Sequence, residues 1–172
     1  LNRLRWFPRK RESRKTGSSL SRERNGSQGI QMLSNSRMVR IEWGDCDPAG
    51  IIFYPRYFAM FDHSTTMLIT AASGVSKAEL LTRYDFSGYP LVSTQAKFIS
   101  PTRFGDDVFI QSTFTRVGRS SFEIRHQIRK NHQVCVEGLE NRAWVKRDEA
   151  DNNKIKSHPL PEELAARFRA EL

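Results

Sequence analysis

The sequence has few cysteines and no long apolar run, and each shortage excludes a class of protein. Only Cys46 and Cys135 occur among 172 residues, without a Cys-x-x-Cys pair or zinc-ligand spacing. A disulfide framework and a metal site are therefore not predicted, and free thiols fit a reducing cytoplasm. No apolar stretch approaches the roughly 18 residues that suggest a membrane span. A GxSxG elbow and a phosphate-binding loop are also missing, which argues against serine hydrolases and nucleotide-driven enzymes.

Acidic side chains are scarce in the first part of the chain. Residues 1–37 contain 10 Lys and Arg against two Glu, whereas the rest holds 18 basic and 17 acidic side chains. The net charge of +9 is thus concentrated in this segment, and the remainder gives no reason to expect nucleic-acid binding. Because the segment is also Ser-rich and lacks apolar periodicity, we predict a disordered extension at 1–37 and a folded domain at 38–172.

Three interpretations of this extension remain open. Its composition is typical of organelle targeting peptides, and a basic tail can also bind RNA or a membrane surface. The interpretation we favour is that it has no function and comes from translated upstream sequence or a misassigned start. Met38 stands at the beginning of the first predicted strand, which fits a start at that position.

The apolar pattern predicts one strand, a long helix and then four strands in hairpin succession. The helix opens at Pro55, carries an apolar stripe and stops near Gly74. A short helix is predicted around Ala78–Leu81 and another at 161–172. The first strand is expected at 38–43, and the later ones at 91–99, 108–115, 122–129 and 133–146. This order indicates an α+β fold with an antiparallel sheet and one core helix.

The residues between the first strand and the helix carry a specific resemblance. Gly-Asp-Cys-Asp-Pro-Ala-Gly at 44–50, followed by Phe-Tyr-Pro at 53–55, resembles the active-site segment of the 4-hydroxybenzoyl-CoA thioesterases of the hotdog-fold superfamily. Weaker matches follow at 89–93, 105–108 and 121–126. The resemblance implies a sheet of about five strands wrapped around one long helix, and a homodimer or homotetramer. It implies no cofactor, because coenzyme A is part of the substrate.

Two catalytic groups follow from this resemblance. Asp47 matches the catalytic carboxylate, which acts as a nucleophile or as a general base, and a carboxylate needs no activation at neutral pH. The alternative role for Asp47 is an Asx-turn before Pro48. Tyr54 is expected to act through its backbone N–H, which with the helix dipole would stabilise the oxyanion. Asp45 is expected to hold the turn, and Cys46 to be a packed thiol.

Further residues are expected to bind the substrate. Asp62 matches the carboxylate that receives the substrate's phenol hydrogen bond, although an exposed helix aspartate is the alternative. If that role carries over, we expect Asp62 to be buried, and unpaired beside an unsubstituted acyl group. Gly50 and Pro90 are expected beside the acyl group, with Gly50 removing a side chain where the chain passes tightly.

Coenzyme A is expected to contact a turn later in the chain. Arg119, Ser120 and Ser121 are candidates for its phosphates, against the alternative of a solvated hairpin arginine. His126 falls on an apolar strand face and is expected to be a hydrogen-bonded core residue.

Together these features predict an enzyme that hydrolyses 4-hydroxybenzoyl-CoA or a similar aromatic thioester, as a step in aromatic degradation. A short-chain aliphatic thioesterase is the nearest alternative, but such relatives usually carry His where this chain has Pro55. A non-catalytic acyl-CoA-binding protein, and a nucleic-acid binder acting through residues 1–37, are the other classes left open.

Overall fold

The structure, a computed structural model, describes residues 33–151 and 153–170, so most of the predicted extension lies outside the described residues. The strands are β1 Ser34–Arg40, β2 Leu91–Phe98, β3 Asp107–Val117, β4 Ser121–Lys130, β5 Gln133–Ala143, β6 Val145–Arg147 and β7 Ile155–Ser157. The α-helices are α1 Pro55–Ser73, α2 Lys77–Tyr84 and α3 Glu162–Arg169. A short 3₁₀ turn spans Trp43–Asp45.

The first strand begins four residues before the predicted start of the domain. β1 pairs with β3 from Ser34 onwards, and the Arg37 guanidinium fastens it to α1. Nε of Arg37 donates to Oγ of Ser64 at 2.8 Å, and Nη2 donates to the Met60 carbonyl at 3.1 Å. Residues 34–37 therefore belong to the folded part of the chain.

Five strands form one antiparallel sheet in the order β1-β3-β4-β5-β2. The hairpins that join β3 to β4 and β4 to β5 occur as predicted, but the expected succession is wrong for β2, which pairs with β5. The alternation of side chains in a strand specifies its buried face and not its neighbour, so the sequence could not give this pairing. β2 is consequently an edge strand of the sheet.

The predicted strand at 133–146 is interrupted at Trp144. The Trp144 ring is buried and stacks on Phe86 with ring centroids 3.7 Å apart. Beyond this residue the chain leaves the main sheet, and β6 pairs with β7 in a separate two-stranded sheet.

The long helix α1 lies against the sheet and divides the core into two apolar clusters. As predicted, it opens at Pro55 and ends at Gly74, which adopts the left-handed conformation with φ of 75°. One cluster lies at the start of α1, around Tyr57, Phe61, Val108, Ile110 and Val136. The other lies at its end, where Leu68, Phe114, Phe122, Leu164 and Phe168 are buried. The start of α1 is thus fixed beside the start of β3, and the α+β arrangement is as predicted.

None of the helices in the described part of the chain combines the length and apolar character that a membrane crossing requires.

Candidate active site

The acidic segment before α1 forms a tight hairpin. The Phe53 N–H donates to the Asp45 carbonyl at 2.8 Å, and the Asp47 N–H donates to the Ile51 carbonyl at 2.9 Å. The turn is closed by the Gly50 N–H, which donates to the Asp47 carbonyl at 2.9 Å. Asp, Pro and Gly occupy the positions that such a turn favours, and Gly50 has a φ of 73°, where a Cβ is disfavoured.

Gly50 is required by its backbone conformation and not by crowding. A Cβ built on this residue meets no heavy atom within 4 Å. The expectation that the chain passes tightly here is therefore wrong for the single chain. The positive φ accounts for the glycine on its own.

The Asp47 carboxylate forms the Asx-turn that the sequence left open as an alternative. Its Oδ1 accepts the Ala49 N–H at 2.8 Å, and the residue is half-buried. Among the residues that the structure describes, none donates a hydrogen bond to Oδ2. The turn therefore orients the carboxylate through one oxygen and leaves the other available, so the structural and the chemical role are compatible.

The start of α1 leaves one backbone donor unused. Pro55 has no N–H, the Arg56 N–H donates to the Phe53 carbonyl at 2.9 Å, and the Tyr57 N–H donates to the Tyr54 carbonyl at 3.1 Å. Within the described ranges, the Tyr54 N–H has no acceptor. This donor lies at the positive end of the dipole of a 19-residue helix, a position that stabilises negative charge.

Asp45 holds the turn, as expected. Its Oδ2 accepts the Glu42 N–H at 3.1 Å, and Nε of Arg56 lies 3.9 Å from Oδ1. Cys46 packs against the apolar cluster at the start of α1.

The hairpin is anchored to the core through Thr102. The Ile52 N–H donates to the Thr102 carbonyl at 3.1 Å, and the Tyr57 hydroxyl lies 2.9 Å from the buried Thr102 Oγ1. Burial raises the pKa of Tyr57 despite this hydrogen bond. The segment that carries Asp47 is therefore held by Thr102 both at the second strand of its hairpin and at the first turn of α1.

Large aromatic side chains lie exposed around the anchored turn. Trp43 meets Phe104 edge to face, and Phe53 meets Tyr54 in the same way. All four rings are about half exposed or more. The turn thus presents apolar surface to whatever covers it.

Asp62 and Pro90 line one cavity of about 410 Å³. Tyr89, Leu91, Lys77 and Arg142 also line it, whereas Asp47, Gly50 and Tyr54 do not. In the single chain the Asp62 side chain is 64% exposed, and its Oδ1 accepts Nη2 of Arg142 at 2.8 Å. In the single chain Asp62 is thus the exposed helix aspartate that the sequence left open as the alternative.

The buried polar groups that adjoin Asp62 were not predicted from the sequence. Arg142 and Glu140 occupy inward positions of β5, together with Val136 and Gly138. Glu140 accepts the Thr65 hydroxyl at 2.8 Å. Burial alone would raise the pKa of Glu140, but the His126 hydrogen bond, the Arg142 charge and the Thr65 hydroxyl hold it below its usual value. The presence of two charged residues at inward positions of one strand is the sequence signal that could have indicated this buried polar group.

His126 is a hydrogen-bonded core residue, as predicted. Its ring is fully buried, and its Nδ1 lies 2.8 Å from Oγ of Ser112. Its Nε2 lies 3.4 Å from Oε2 of Glu140. His126, Ser112 and Glu140 therefore form a buried polar layer between the two apolar clusters.

The three candidates for coenzyme A binding lie together, with Arg119 and Ser120 in the turn between β3 and β4 and Ser121 as the first residue of β4. The Arg119 carbonyl accepts the Leu160 N–H at 2.8 Å, and the Ser120 carbonyl accepts the Trp144 N–H at 2.9 Å. The Arg119 side chain is exposed, as is Ser121. The 11 residues of β3 separate this turn from the Asp47 hairpin by about 35 Å. One chain therefore does not bring Arg119 beside Asp47.

Comparison with known proteins places this geometry in a family. The model of the thioesterase-like superfamily matches residues 41–168. The chain is 30% identical over 89 residues to the 4-hydroxybenzoyl-CoA thioesterase of Pseudomonas sp. strain CBS-3. This match covers 52% of this chain and 63% of that protein. The matched region thus spans less than two thirds of that relative. The predicted resemblance is confirmed.

Solved structures give the same fold. A mutant 4-hydroxybenzoyl-CoA thioesterase in complex with 4-hydroxybenzoyl-CoA has a TM-score of 0.72 at 23% identity, covering 79% of this chain and 99% of its own. A gentisyl-coenzyme A thioesterase has a TM-score of 0.65 at 27% identity, covering 79% and 100%. The predicted hotdog fold is confirmed.

Proposed function

Because the chain belongs to the thioesterase-like superfamily, we propose that it hydrolyses an acyl-CoA thioester at the Asp47 hairpin. The observation that carries this proposal is the pairing of an oriented carboxylate with an unused donor. Asp47 keeps Oδ2 available, and the Tyr54 N–H lacks an acceptor on the same anchored segment, within the described residues.

Asp47 supplies the attacking or activating oxygen in either of two ways. As a general base it takes a proton from water, whose oxygen then bonds to the thioester carbon. As a nucleophile it bonds to that carbon itself, and water later hydrolyses the resulting anhydride. In both routes the carbon–sulfur bond breaks, the thiolate takes up a proton, and the acyl group leaves as a carboxylic acid.

Tyr54 acts through its main chain in both routes. The carbonyl oxygen gains negative charge as the tetrahedral intermediate forms, and the Tyr54 N–H would donate to it at the helix start. A donor of this kind contributes about 100- to 1000-fold to the rate in comparable enzymes. The tyrosine ring itself is not required for this role.

The acyl group is proposed to be a hydroxylated aromatic ring, as in 4-hydroxybenzoyl-CoA, which would give 4-hydroxybenzoate and coenzyme A. The names of two similar proteins support this class, since they act on 4-hydroxybenzoyl-CoA and gentisyl-coenzyme A. The cavity beside Asp62 and Pro90 supports it as well. The exposed carboxylate of Asp62 can accept a hydrogen bond from a hydroxyl group in this cavity.

The complete site is proposed to need a second copy of the chain, in a homodimer or homotetramer. Eight residues of α1 place Asp62 about 12 Å along the helix from Tyr54. The turn with Arg119, Ser120 and Ser121 lies still further away, beyond β3. A neighbouring copy would bring these phosphate-binding candidates to the Asp47 hairpin and cover the exposed aromatic rings around it.

The edge strand β2 supports such an assembly. Its Val92 and Phe98 side chains are 67% and 51% exposed, although both lie in a strand of the main sheet. Unpaired backbone groups and apolar side chains on an edge are a template for pairing with another strand. The second copy is thus expected to contact this face.

The activity is tested by following thiol release from purified protein. We expect 4-hydroxybenzoyl-CoA to be hydrolysed with higher kcat/KM than benzoyl-CoA, and butyryl-CoA to be the poorest of the three substrates. Preference for butyryl-CoA would assign an aliphatic thioesterase instead. Binding of all three without thiol release would identify a non-catalytic acyl-CoA-binding protein.

A further inference from the structure

Arg142 is the residue that connects the acyl cavity to the buried polar layer. It is the last inward-facing charged residue of β5, and its side chain is 5% exposed. Nε donates to Oε2 of Glu140 at 3.0 Å, Nη2 lies 2.9 Å from the same oxygen, and Nη1 donates to the Tyr89 carbonyl at 3.4 Å. Nη2 also donates to Oδ1 of Asp62 at 2.8 Å. Glu140 and the Tyr89 carbonyl thus fix the guanidinium, and the guanidinium in turn contacts Asp62.

The support behind Arg142 is itself fixed. Glu140 is 1% exposed, and its carboxylate accepts the Thr65 hydroxyl and lies 3.4 Å from Nε2 of His126. Nδ1 of His126 lies 2.8 Å from Oγ of Ser112 on β3. Elements α1 and β4 therefore fix the carboxylate that holds the guanidinium, whereas β3 contacts only the other nitrogen of the His126 ring. Such a support can hold a functional group within a fraction of an ångström of one position.

Asp62 depends on this support because it has no other fixed partner. Its side chain is 64% exposed, and Arg142 is the only partner that the described residues give its carboxylate. A free aspartate on a helix surface samples several rotamers. The Arg142 contact occupies Oδ1, and because Asp62 lines the same cavity as Arg142, Oδ2 remains available to accept a donor there.

The charges in this cavity favour a neutral hydrogen-bond donor on the acyl group. The Arg142 guanidinium is already compensated by Glu140 and Asp62, so it has little capacity to bind a further anion. Among the described residues that line the cavity, the other cation is Lys77, whose Nζ lies 4.9 Å from the centre of the Tyr89 ring at the exposed rim. A hydroxyl that donates to Oδ2 of Asp62 is the simplest group to fit.

We propose that Arg142 is a positioning residue that sets the preference for hydroxylated aromatic acyl groups by holding the Asp62 carboxylate in place. This inference rests on the proposed function for the identity of the site, and it adds a residue that acts through Asp62 without touching the thioester. Its loss is expected to change which substrate is preferred and not the rate of the chemical step.

The test compares Arg142→Lys with the wild-type protein on 4-hydroxybenzoyl-CoA and benzoyl-CoA. Lysine retains a charge beside Glu140 but lacks the planar fork that contacts both carboxylates. We expect the ratio of the two kcat/KM values to fall about tenfold, with benzoyl-CoA hydrolysis little changed. Equal losses on both substrates, or an unchanged ratio, would overturn the proposal.

Two further variants separate positioning from stability. Ser112→Ala removes the hydrogen bond at the far end of the network, where Asp62 is not contacted, and we expect the ratio to stay as in the wild type. If Arg142→Lys fails to fold, Glu140→Leu with Arg142→Met removes both buried charges together, which is often neutral or stabilising. We expect this double variant to lose the preference as well, and a retained preference would overturn the proposal.

A binding measurement keeps this inference distinct from the proposed function. The thioethers 4-hydroxyphenacyl-CoA and phenacyl-CoA cannot be hydrolysed, and their affinities are measured by calorimetry. We expect the wild-type protein to prefer the hydroxylated ligand about tenfold and Arg142→Lys to lose that preference, even if no thioester were hydrolysed. No preference in the wild type would overturn the role of Arg142, while hydrolysis of benzoyl-CoA would still support the proposed function.

Discussion

The ring of Phe61 occupies the space in which a side chain of residue 138 would lie. A Cβ built on Gly138 would stand 2.4 Å from Cε2 and 2.7 Å from Cζ of Phe61. The same ring stacks on His126, with centroids 4.7 Å apart and planes inclined by 11°. Gly138 thus lets α1 approach the sheet closely enough for Phe61 to cover the polar layer.

We expect Gly138→Ala to lower the free energy of unfolding by about 1–3 kcal/mol, because the Phe61 ring must shift in a packed core. Phe61→Leu would itself cost stability, but it should reduce the penalty of the alanine. Urea unfolding of both single variants and the double variant measures this coupling. Strictly additive effects would show that the ring does not set the requirement for glycine.

Glu140→Gln should make the free energy of unfolding depend less on pH in the acidic range. The pKa of Glu140 is held below the ordinary value of 4.5 in the folded protein, so the unfolded chain binds an extra proton between the two values. The stabilisation is complete above about pH 5.5 and is lost as the pH falls through the folded pKa. We expect Glu140→Gln to cost about 3 kcal/mol at pH 7 and clearly less at pH 3.

Chemical unfolding across this pH range checks the expectation. Burial raises the pKa of Asp106, but its hydrogen bond with Lys130 outweighs this and holds that pKa below the ordinary value of 3.8, so Asp106 also makes stability depend on acid. Asp106→Asn therefore serves as the comparison, and only the difference between each variant and the wild type is interpreted. A Glu140→Gln difference that stays constant from pH 7 to pH 3 would contradict the assignment.

Asp47→Asn should remove activity without disturbing the hairpin. The amide oxygen of asparagine can still accept the Ala49 N–H, so the Asx-turn is retained while the anion is lost. We expect thiol release to fall about 100-fold or more, with Tm unchanged and the affinity for substrate within about tenfold. Cys46→Ala is the matched control on the adjacent residue and should retain most of the rate. An active Asp47→Asn variant would remove Asp47 from the chemistry.

Gly50→Ala should be destabilising for a conformational reason alone. The φ of 73° costs a residue with a Cβ about 1 kcal/mol, although the added methyl group would meet no neighbour. Gly44→Ala is the control, since Gly44 is equally uncrowded but lies outside the residues of positive φ. We expect thermal unfolding to show a lower Tm for Gly50→Ala only. Activity should fall with it, because the turn orients Asp47.

Val92→Lys should weaken the proposed assembly. A lysine on the exposed edge strand β2 opposes pairing with a second copy, whereas Met38→Lys places the same charge on β1, the opposite edge of the sheet. Sedimentation velocity is expected to show smaller particles for Val92→Lys and unchanged ones for Met38→Lys. The reverse result would assign the interface to β1.

The sequence predicted local features well and spatial neighbours poorly. The start of α1 at Pro55 and its end at Gly74 depend on residues within one turn of the helix, and both are confirmed. The pairing of β2 with β5 joins residues from 38 to 51 positions apart, and periodicity carries no such information.

In the candidate site, too, features within one segment could be predicted from the sequence and contacts between distant residues could not. The spacing of Asp47, Gly50 and Tyr54 was visible because they belong to one short segment. The contact between Asp62 and Arg142 joins residues 80 positions apart, so it required the packing of α1 on β5. For the same reason, the separation of Arg119 from Asp47 was not visible in the motif.

The Glu140–Arg142 pair has a consequence for anyone who selects this protein for heat resistance. Replacing a buried ion pair with apolar side chains of similar size often raises the melting temperature. Selection by heating alone would therefore favour loss of both charges. If Arg142 orients Asp62, such clones would be robust but indifferent to the acyl group, so screening should include a hydroxylated substrate at every round.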